Sequence, residues 1–546
     1  MTHVFIFNNG SRAANYGIGT YVRQVSDGLT ALPGYVVSFV EMNTNTQEFV
    51  VAKDDSGRFH YQIPATQSGM EDENYCRIIF YFLARNIESS ISTGISQISD
   101  EDCHIVFQFN YFQHLPLAIL LKGHFPKSRI ILTVHYFSWC FDLRGNLSRM
   151  REITAKGHTP IDDIEKRVVG SFQNEQMFMH LADEVFVMSK ETKNIVLVDY
   201  CVKKDKVHLI YNGHNNELAT NETFPSKDIL FVGRLDEIKG LKYLIDAFIS
   251  ISSKHISTNL IIAGDGDFQP YLAQCRCVPN RVVFVGKLQT EEVEQCYNSA
   301  YIGVMPSFHE QCSYTAIEMM RHGIPLIGTD STGLREMLDN TPELLVRINE
   351  KEFNENAFIE QIARRIDLLL SDENAHRKAS RAFKELYIER YRISDMIDGI
   401  RRALQYSFQR EGYIVSSDYM KYMDNRMMQL VNLHPDIDCD IIGLSGIGIY
   451  LWWRINQLAD TTESFQRSIF EEYLIYYLDW LCEVSVNEKL PTEIILSLFS
   501  MESKGFYKTK VREILSMQTY LEYSSNTTFS GVQIIQNALR ICNYKI

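Results

Sequence analysis

Apolar residues recur along this chain in two rhythms. The runs Val4-Phe7, Val36-Glu41, His104-Phe109, Arg129-His135, Glu184-Ser189 and Lys206-Tyr211 are short, β-branched or aromatic and nearly unbroken, and helical spacing separates most of them. Unbroken apolar runs predict parallel strands covered by helices on both faces, because no face is left for water. Residues 47–64, QEFVVAKDDSGRFHYQIP, instead alternate around Asp55-Ser56-Gly57, which predicts a hairpin. The chain turns polar over Asn215–Lys227, as a linker does. A second series then follows: Ile229-Val232, Leu260-Ala263, Val282-Val285, Ile302-Met305 and Pro325-Gly328. From residue 386 the spacing is helical, and the remainder is rich in Tyr, Leu, Ile and Trp.

The pattern predicts an α/β protein with two Rossmann-like, doubly wound domains facing across a cleft. The first is placed at residues 1–220 and the second at 221–385. A crossover helix at 386–410 is expected to pack back on the first, with a helical extension at 411–546. A chain of 546 residues exceeds one ordinary core, and 45% hydrophobic with 22% charged residues is an ordinary soluble composition. The formal net charge of -14 argues against a nucleic-acid partner and lends no support to attraction by anionic lipid. MTHVFIFNNG lacks the basic flank of a signal peptide and reads as a first strand. No run reaches the roughly 18 to 20 apolar residues of a membrane span. The 11 cysteines form no CxxC pair, and Cys275-Arg-Cys277 is too tight for ordinary zinc spacing. Reduced thiols in a cytoplasm are therefore expected.

Ligands of doubly wound sheets bind beyond the strands' carboxyl ends, which directs attention to the loops there. Gly17-Ile18-Gly19 precedes a predicted helix, where glycine admits close approach and free N–H groups attract an anion; a plain βα-loop has the same composition. After Ile229-Val232 comes Gly233-Arg234-Leu235-Asp236-Glu237-Ile238-Lys239-Gly240. Arg234 and Lys239 can converge there on one diphosphate, the first as a fork and the second as a point charge, or stand as solvated cations. Asp265 lies in Ala263-Gly264-Asp265-Gly266, a loop lining the cleft or simply a tight turn. Glu310 falls in the loop after Ile302-Met305, and Glu318 about two turns into the helix beyond it. Taken alone, two acids so placed fit a cap and a surface residue as well as they fit a ligand site.

In order, Gly233-Arg234-Leu235, Lys239-Gly240, Ala263-Gly264-Asp265-Gly266, Val285-Gly286, Pro306-Ser307, Glu310-x7-Glu318 and Gly323-Ile324-Pro325 resemble the motifs of family 4 glycosyltransferases. Gly17-Ile18-Gly19-Thr20-Tyr21-Val22, Thr133-Val134-His135, Ala182-Asp183-Glu184-Val185 and Asn212-Gly213 agree, so the resemblance spans residues 1 to 410. It implies the GT-B fold and retaining, metal-independent transfer of a hexosyl group from a nucleoside-diphosphate sugar, with no cofactor. It further implies that Arg234 and Lys239 hold the diphosphate and Glu310 faces the donor sugar. The N–H groups of Ser313 and Tyr314 would lie near sugar or phosphate, Glu318 would bind the ribose, and Gly17 and Gly19 would approach the diphosphate. His135 would contact the transferred sugar from an acceptor-side first domain. A glycan, lipid-linked, small-molecule or peptide acceptor fits, and weak membrane association is compatible with the family.

Two positions depart from the pattern. Gln311-Cys312-Ser313 follows the first glutamate where Glu-x-Phe-Gly is common, which bears on the choice of sugar, and Tyr136 replaces an acid after the histidine. Asp438-Cys439-Asp440 has the letters of a metal motif but lies in the helical tail, and Ile442-Gly443-Leu444-Ser445-Gly446-Ile447-Gly448 reads as helix packing through small residues. The competing expectations are an inactive GT-B protein that binds a sugar nucleotide or a partner, and a nucleotide-sugar epimerase.

Overall fold

The structure is a computed structural model that describes residues 1–10, 17–46, 50–55, 57–65, 104–219, 226–349, 352–410 and 507–524, with scattered positions between 80 and 87 and between 471 and 501. Two sheets organise it. The first contains β1 (Thr2–Asn9), β2 (Tyr35–Thr44), β3 (Val50–Lys53), β4 (Phe59–Pro64), β5 (His104–Phe109), β6 (Arg129–Thr133), β7 (Glu184–Val187) and β8 (Val207–Leu209). Their order is β3-β4-β2-β1-β5-β6-β7-β8. All pairs are parallel except β3 with β4, the hairpin the alternating segment predicts. Its turn is fixed by Asp54, whose carboxylate accepts from the Arg58 backbone N–H at 2.9 Å.

The second sheet is parallel throughout and contains β9 (Ile229–Val232), β10 (Leu260–Ala263), β11 (Val282–Gly286), β12 (Ile302–Met305), β13 (Leu326–Thr329) and β14 (Leu345–Val346). Its order is β11-β10-β9-β12-β13-β14. The two-residue β14 is too short to leave a pattern, and no strand is expected there from sequence. Strand order reverses between β1 and β5 in the first sheet and between β9 and β12 in the second, and such reversals open ligand crevices at the strands' carboxyl ends.

The unbroken apolar strands are two-sided, as expected, except the edge strand β11, where Val283 and Val285 are exposed. In β1, Phe5 and Phe7 enter a core with Phe107 and Phe109, while Val4 and Ile6 face the opposite layer with Tyr21, Val22 and Val25. That second layer also takes Met396, Ile400, Ala403 and Leu404 from helix Ile393–Phe408. The preceding helix, Glu373–Arg390, stays on the second core through Ala379, Phe383, Leu386 and Tyr387. The chain therefore recrosses between the domains at Tyr391–Arg392.

Of the C-terminal extension, helix Lys508–Ser524 is described, and its Val511 and Ile514 are buried in the first core together with Leu474, Leu478, Leu481 and Leu498. The acidic Asp438–Asp440 motif and the glycine motif at 442–448 lie outside the described residues. Among the described residues, no helix is long and apolar enough to cross a membrane.

Candidate active site

A cleft of about 440 Å³ separates the two sheets, and residues directly beyond β6, β8, β9, β10, β11 and β12 line it. Gly17, His135, Arg234, Lys239, Glu310, Ser313, Tyr314 and Glu318 all reach it. Gly19 sits in the first turn of helix Gly17–Thr30 but is not among the lining residues. Residues 11–16 lie outside the described residues, so only the two ends of the first glycine loop are placed. Asp265 also lines the cleft, within the turn between two glycines of positive φ.

On the second domain, glycines bring the loops together. Gly233 N–H donates to Ala263 O at 3.0 Å, and a Cβ on Gly264 (φ +154°) would stand 1.7 Å from Gly233 O. The loops after β9 and β10 can therefore stack only with glycine at that point. Arg234 leaves this stack and pairs with Asp236 at 3.0 Å. A short 3-10 turn, Glu237–Lys239, ends at Gly240 in the left-handed conformation, where a Cβ would meet Pro306 O at 2.2 Å. Phe308 N–H donates to Ile238 O at 2.8 Å, which ties the lysine loop to the glutamate loop. The ammonium of Lys239 bonds directly to the carboxylate of Glu310, and both are largely buried.

Ser313 caps helix Tyr314–His322: its backbone is extended and its hydroxyl accepts from Ala316 N–H at 3.5 Å, the arrangement that starts helices. Glu318 stands in the second turn, nearer the helix start than expected. One of its oxygens accepts from Tyr297 Oη at 2.6 Å, and the other lies 3.8 Å from His214 Nε2. Burial pushes this carboxyl up to about 7, against the lowering effect of the tyrosine hydroxyl.

From the first domain, His135 follows β6 and places Nε2 2.9 Å from Asn110 Oδ1, with the edge of the Tyr21 ring 4.7 Å between centroids. Burial lowers its pKa to about 3, so the imidazole is neutral. Tyr314 Oη donates to Gln24 Oε1 at 2.8 Å and Asn212 Nδ2 to Cys312 O at 2.7 Å, each bond crossing the cleft. Sequence reasoning missed Asn110, His214 and Tyr297. Asn110 carries a weak signal, a polar residue ending an apolar strand; Tyr297 carries none, because its pairing with Glu318 exists only once two helices are packed. At the departure from the family pattern, Gln311 and Cys312 are buried, and burial pushes the Cys312 thiol up to about 12, which makes it inert.

Residues 226–370, which hold Arg234, Lys239, Glu310 and Glu318, match the family model described as "Glycosyl transferases group 1". The whole two-sheet body is similar to the sucrose-phosphate synthase of Thermosynechococcus elongatus, with a TM-score of 0.56 at 20% identity over 75% of this chain and 100% of that one. The chain carries a group 1 glycosyltransferase domain in a GT-B fold. A glycosyltransferase from Rickettsia africae shares the fold at a TM-score of 0.51 and 14% identity, over 74% of this chain and 98% of that one. In sequence, the chain is similar to an uncharacterised glycosyltransferase of Methanocaldococcus jannaschii, 34% identical over 174 residues, 28% of this chain and 44% of the relative. It is likewise similar to glycogen synthase of Mycobacterium tuberculosis, 34% identical over 116 residues, 21% of this chain and 28% of the relative. The match thus spans less than half the length of either curated relative.

Proposed function

We propose that the protein is a retaining, metal-independent glycosyltransferase of family 4 that moves a hexosyl group from a nucleoside-diphosphate sugar to an acceptor hydroxyl. The observation that carries this reading is the meeting of Arg234, the Lys239–Glu310 ion pair and Glu318 in one cleft at the switch point between β9 and β12. The diphosphate lies against Arg234 and Lys239, the ribose hydroxyls against Glu318 and the sugar against Glu310. The first N–H groups of the helix capped by Ser313, which have no intrahelical partner, face the donor together with Gly17.

In the reaction the bond from the anomeric carbon to the phosphate oxygen breaks and the diphosphate leaves with the electron pair. The acceptor oxygen bonds to the same face of that carbon, and its proton passes to the departing phosphate. Charge grows on the diphosphate as the bond breaks. The two cations, held in place beforehand by Asp236 and Glu310, stabilise it most in the transition state. His135 contacts the sugar from the first domain. The acceptor is a glycan, lipid-linked species, small molecule or peptide, and the enzyme works in the cytoplasm.

A panel of UDP- and GDP-hexoses, followed for hydrolysis and transfer, tests the proposal. One donor is expected to turn over, with EDTA without effect and Arg234→Ala lowering kcat/KM by about 100-fold or more. Unchanged kinetics in Arg234→Ala rejects the phosphate assignment. If wild type turns over no donor, as Glu310→Ala is expected to do, the protein is a binder and not an enzyme.

A further inference from the structure

Asn110 is buried at the end of β5, and both ends of its amide are committed. Its Nδ2 donates to Phe7 O at 2.9 Å, a carbonyl of the central strand β1 that can only accept. The other amide atom, Oδ1, can also only accept, and it faces His135 Nε2 at 2.9 Å. The shared proton must therefore sit on Nε2. Burial alone keeps the imidazole neutral, and a neutral ring with a proton on Nε2 has a bare lone pair on Nδ1. Among the described residues, the titratable ring packed on His135 is Tyr21, whose own pKa burial raises to about 12. Tyr21 is tied through its hydroxyl to Thr133 at 3.3 Å and Gln108 at 3.2 Å. It therefore supplies no charge that would reverse the tautomer.

We infer that Asn110 is a positioning residue that locks His135 as the Nε2–H tautomer, so that the histidine offers Nδ1 to the cleft as a hydrogen-bond acceptor. The substrate group that docks on His135 must then bring its own proton: a sugar hydroxyl fits, whereas a carboxylate or phosphate oxygen is repelled lone pair to lone pair. His135 so held is an orienting acceptor and not a general base. The inference rests on the reading of this cleft as a site of sugar transfer, but the tautomer itself does not.

The decisive measurement is the nitrogen chemical shift of His135 in the full chain labelled with 15N-histidine, assigned by the resonance lost in His135→Gln. The expected result is an unprotonated Nδ1 and a protonated Nε2, with and without UDP. A protonated Nδ1 overturns the inference, whether or not any donor is turned over. Two variants test the role of the amide. Asn110→Asp, nearly the same size, is expected to favour the imidazolium and bring His135 into titration near neutrality. With a donor that turns over, kcat/KM then falls about tenfold below the new pKa and recovers above it. Asn110→Ser is expected to release the ring to a mixture of tautomers. If both variants keep the wild-type tautomer and pH profile, Asn110 does not set it. Singly deoxygenated donors and acceptors locate the hydroxyl: the compound lacking it is a poorer substrate for wild type and indifferent to Asn110→Asp. If no compound in either set behaves so, His135 does not accept from a substrate hydroxyl.

Discussion

At the scale of single residues, the site gathers groups whose protonation is set by burial more than by charge. Glu318 is the clearest case, with its carboxyl pushed up to about 7. In the folded chain it is neutral below that value and ionised above it. A carboxylate accepts hydroxyl hydrogen bonds more strongly than a neutral acid. If Glu318 grips the ribose diol, affinity for a nucleoside diphosphate should rise as pH climbs through about 7. His214, lowered to about 4, is already neutral over this range, and Tyr297 stays protonated because burial raises it. Glu294 raises the Glu318 pKa and Arg321 lowers it, while His322, bonded to Glu294 at 2.9 Å, is itself held below its usual value. Calorimetric titration with UDP or GDP from about pH 5.5 to 8.5 checks this: the ratio of wild-type to Glu318→Gln affinity should grow severalfold across the range. The nucleotide's own ionisation is common to both proteins and cancels. A flat ratio removes Glu318 from the ribose.

At the scale of elements, the site depends on loops that fit only with glycine at their contacts. Gly240 both ends the Lys239 turn at φ +68° and lies against Pro306 O. Gly240→Ala adds left-handed strain to a steric conflict with backbone, and should destabilise the chain by about 2 kcal/mol or more, read as a drop in Tm. Because Lys239 precedes that glycine, donor turnover should fall more than stability alone explains. A variant with wild-type Tm and kinetics would show that the loop relaxes freely. The same features explain what was legible in the sequence. β9, β10 and β12 stand out because they are covered on both faces, so nearly every residue is apolar and buried, and the glycines mark close backbone approach. The hairpin at the sheet edge shows through its alternation. What stayed hidden is what packing alone creates: β14, the bond from Tyr297 to Glu318, and the Asn110 amide that fixes a histidine 25 positions away. Nor does composition reveal that Leu474, Leu478 and Ile514 of the C-terminal extension fill the first core.

At the scale of the molecule, two chain crossings join the domains among the described residues, and they lie side by side. His214 N–H donates to Tyr391 O at 2.8 Å, and His214 O accepts from Ile393 N–H at 2.6 Å. Gly213 permits this approach, since a Cβ there would stand 2.6 Å from Arg392 O. The paired crossings are the place where a domain movement would turn, and they adjoin the cleft-lining Asn212 and His214. Arg234, Lys239, Glu310 and Glu318 all lie on one side of that hinge, whereas His135 and Gly17 lie on the other. Nucleotide binding and domain closure should therefore separate under mutation. Gly213→Val forces the crossings apart and misplaces the first domain against the donor, while Arg234, Lys239 and Glu310 keep their places on the second domain and only the His214 contact to Glu318 is disturbed. The expected result is a kcat for transfer lowered about tenfold or more, with affinity for UDP or GDP changed by less than about threefold. Stopped turnover assays and calorimetry read the two quantities independently. If affinity and kcat fall together, the hinge is part of the donor site itself. If neither moves, the crossings tolerate the side chain and closure is governed by the contacts across the cleft, such as those of Tyr314 with Gln24 and Asn212 with the Cys312 carbonyl.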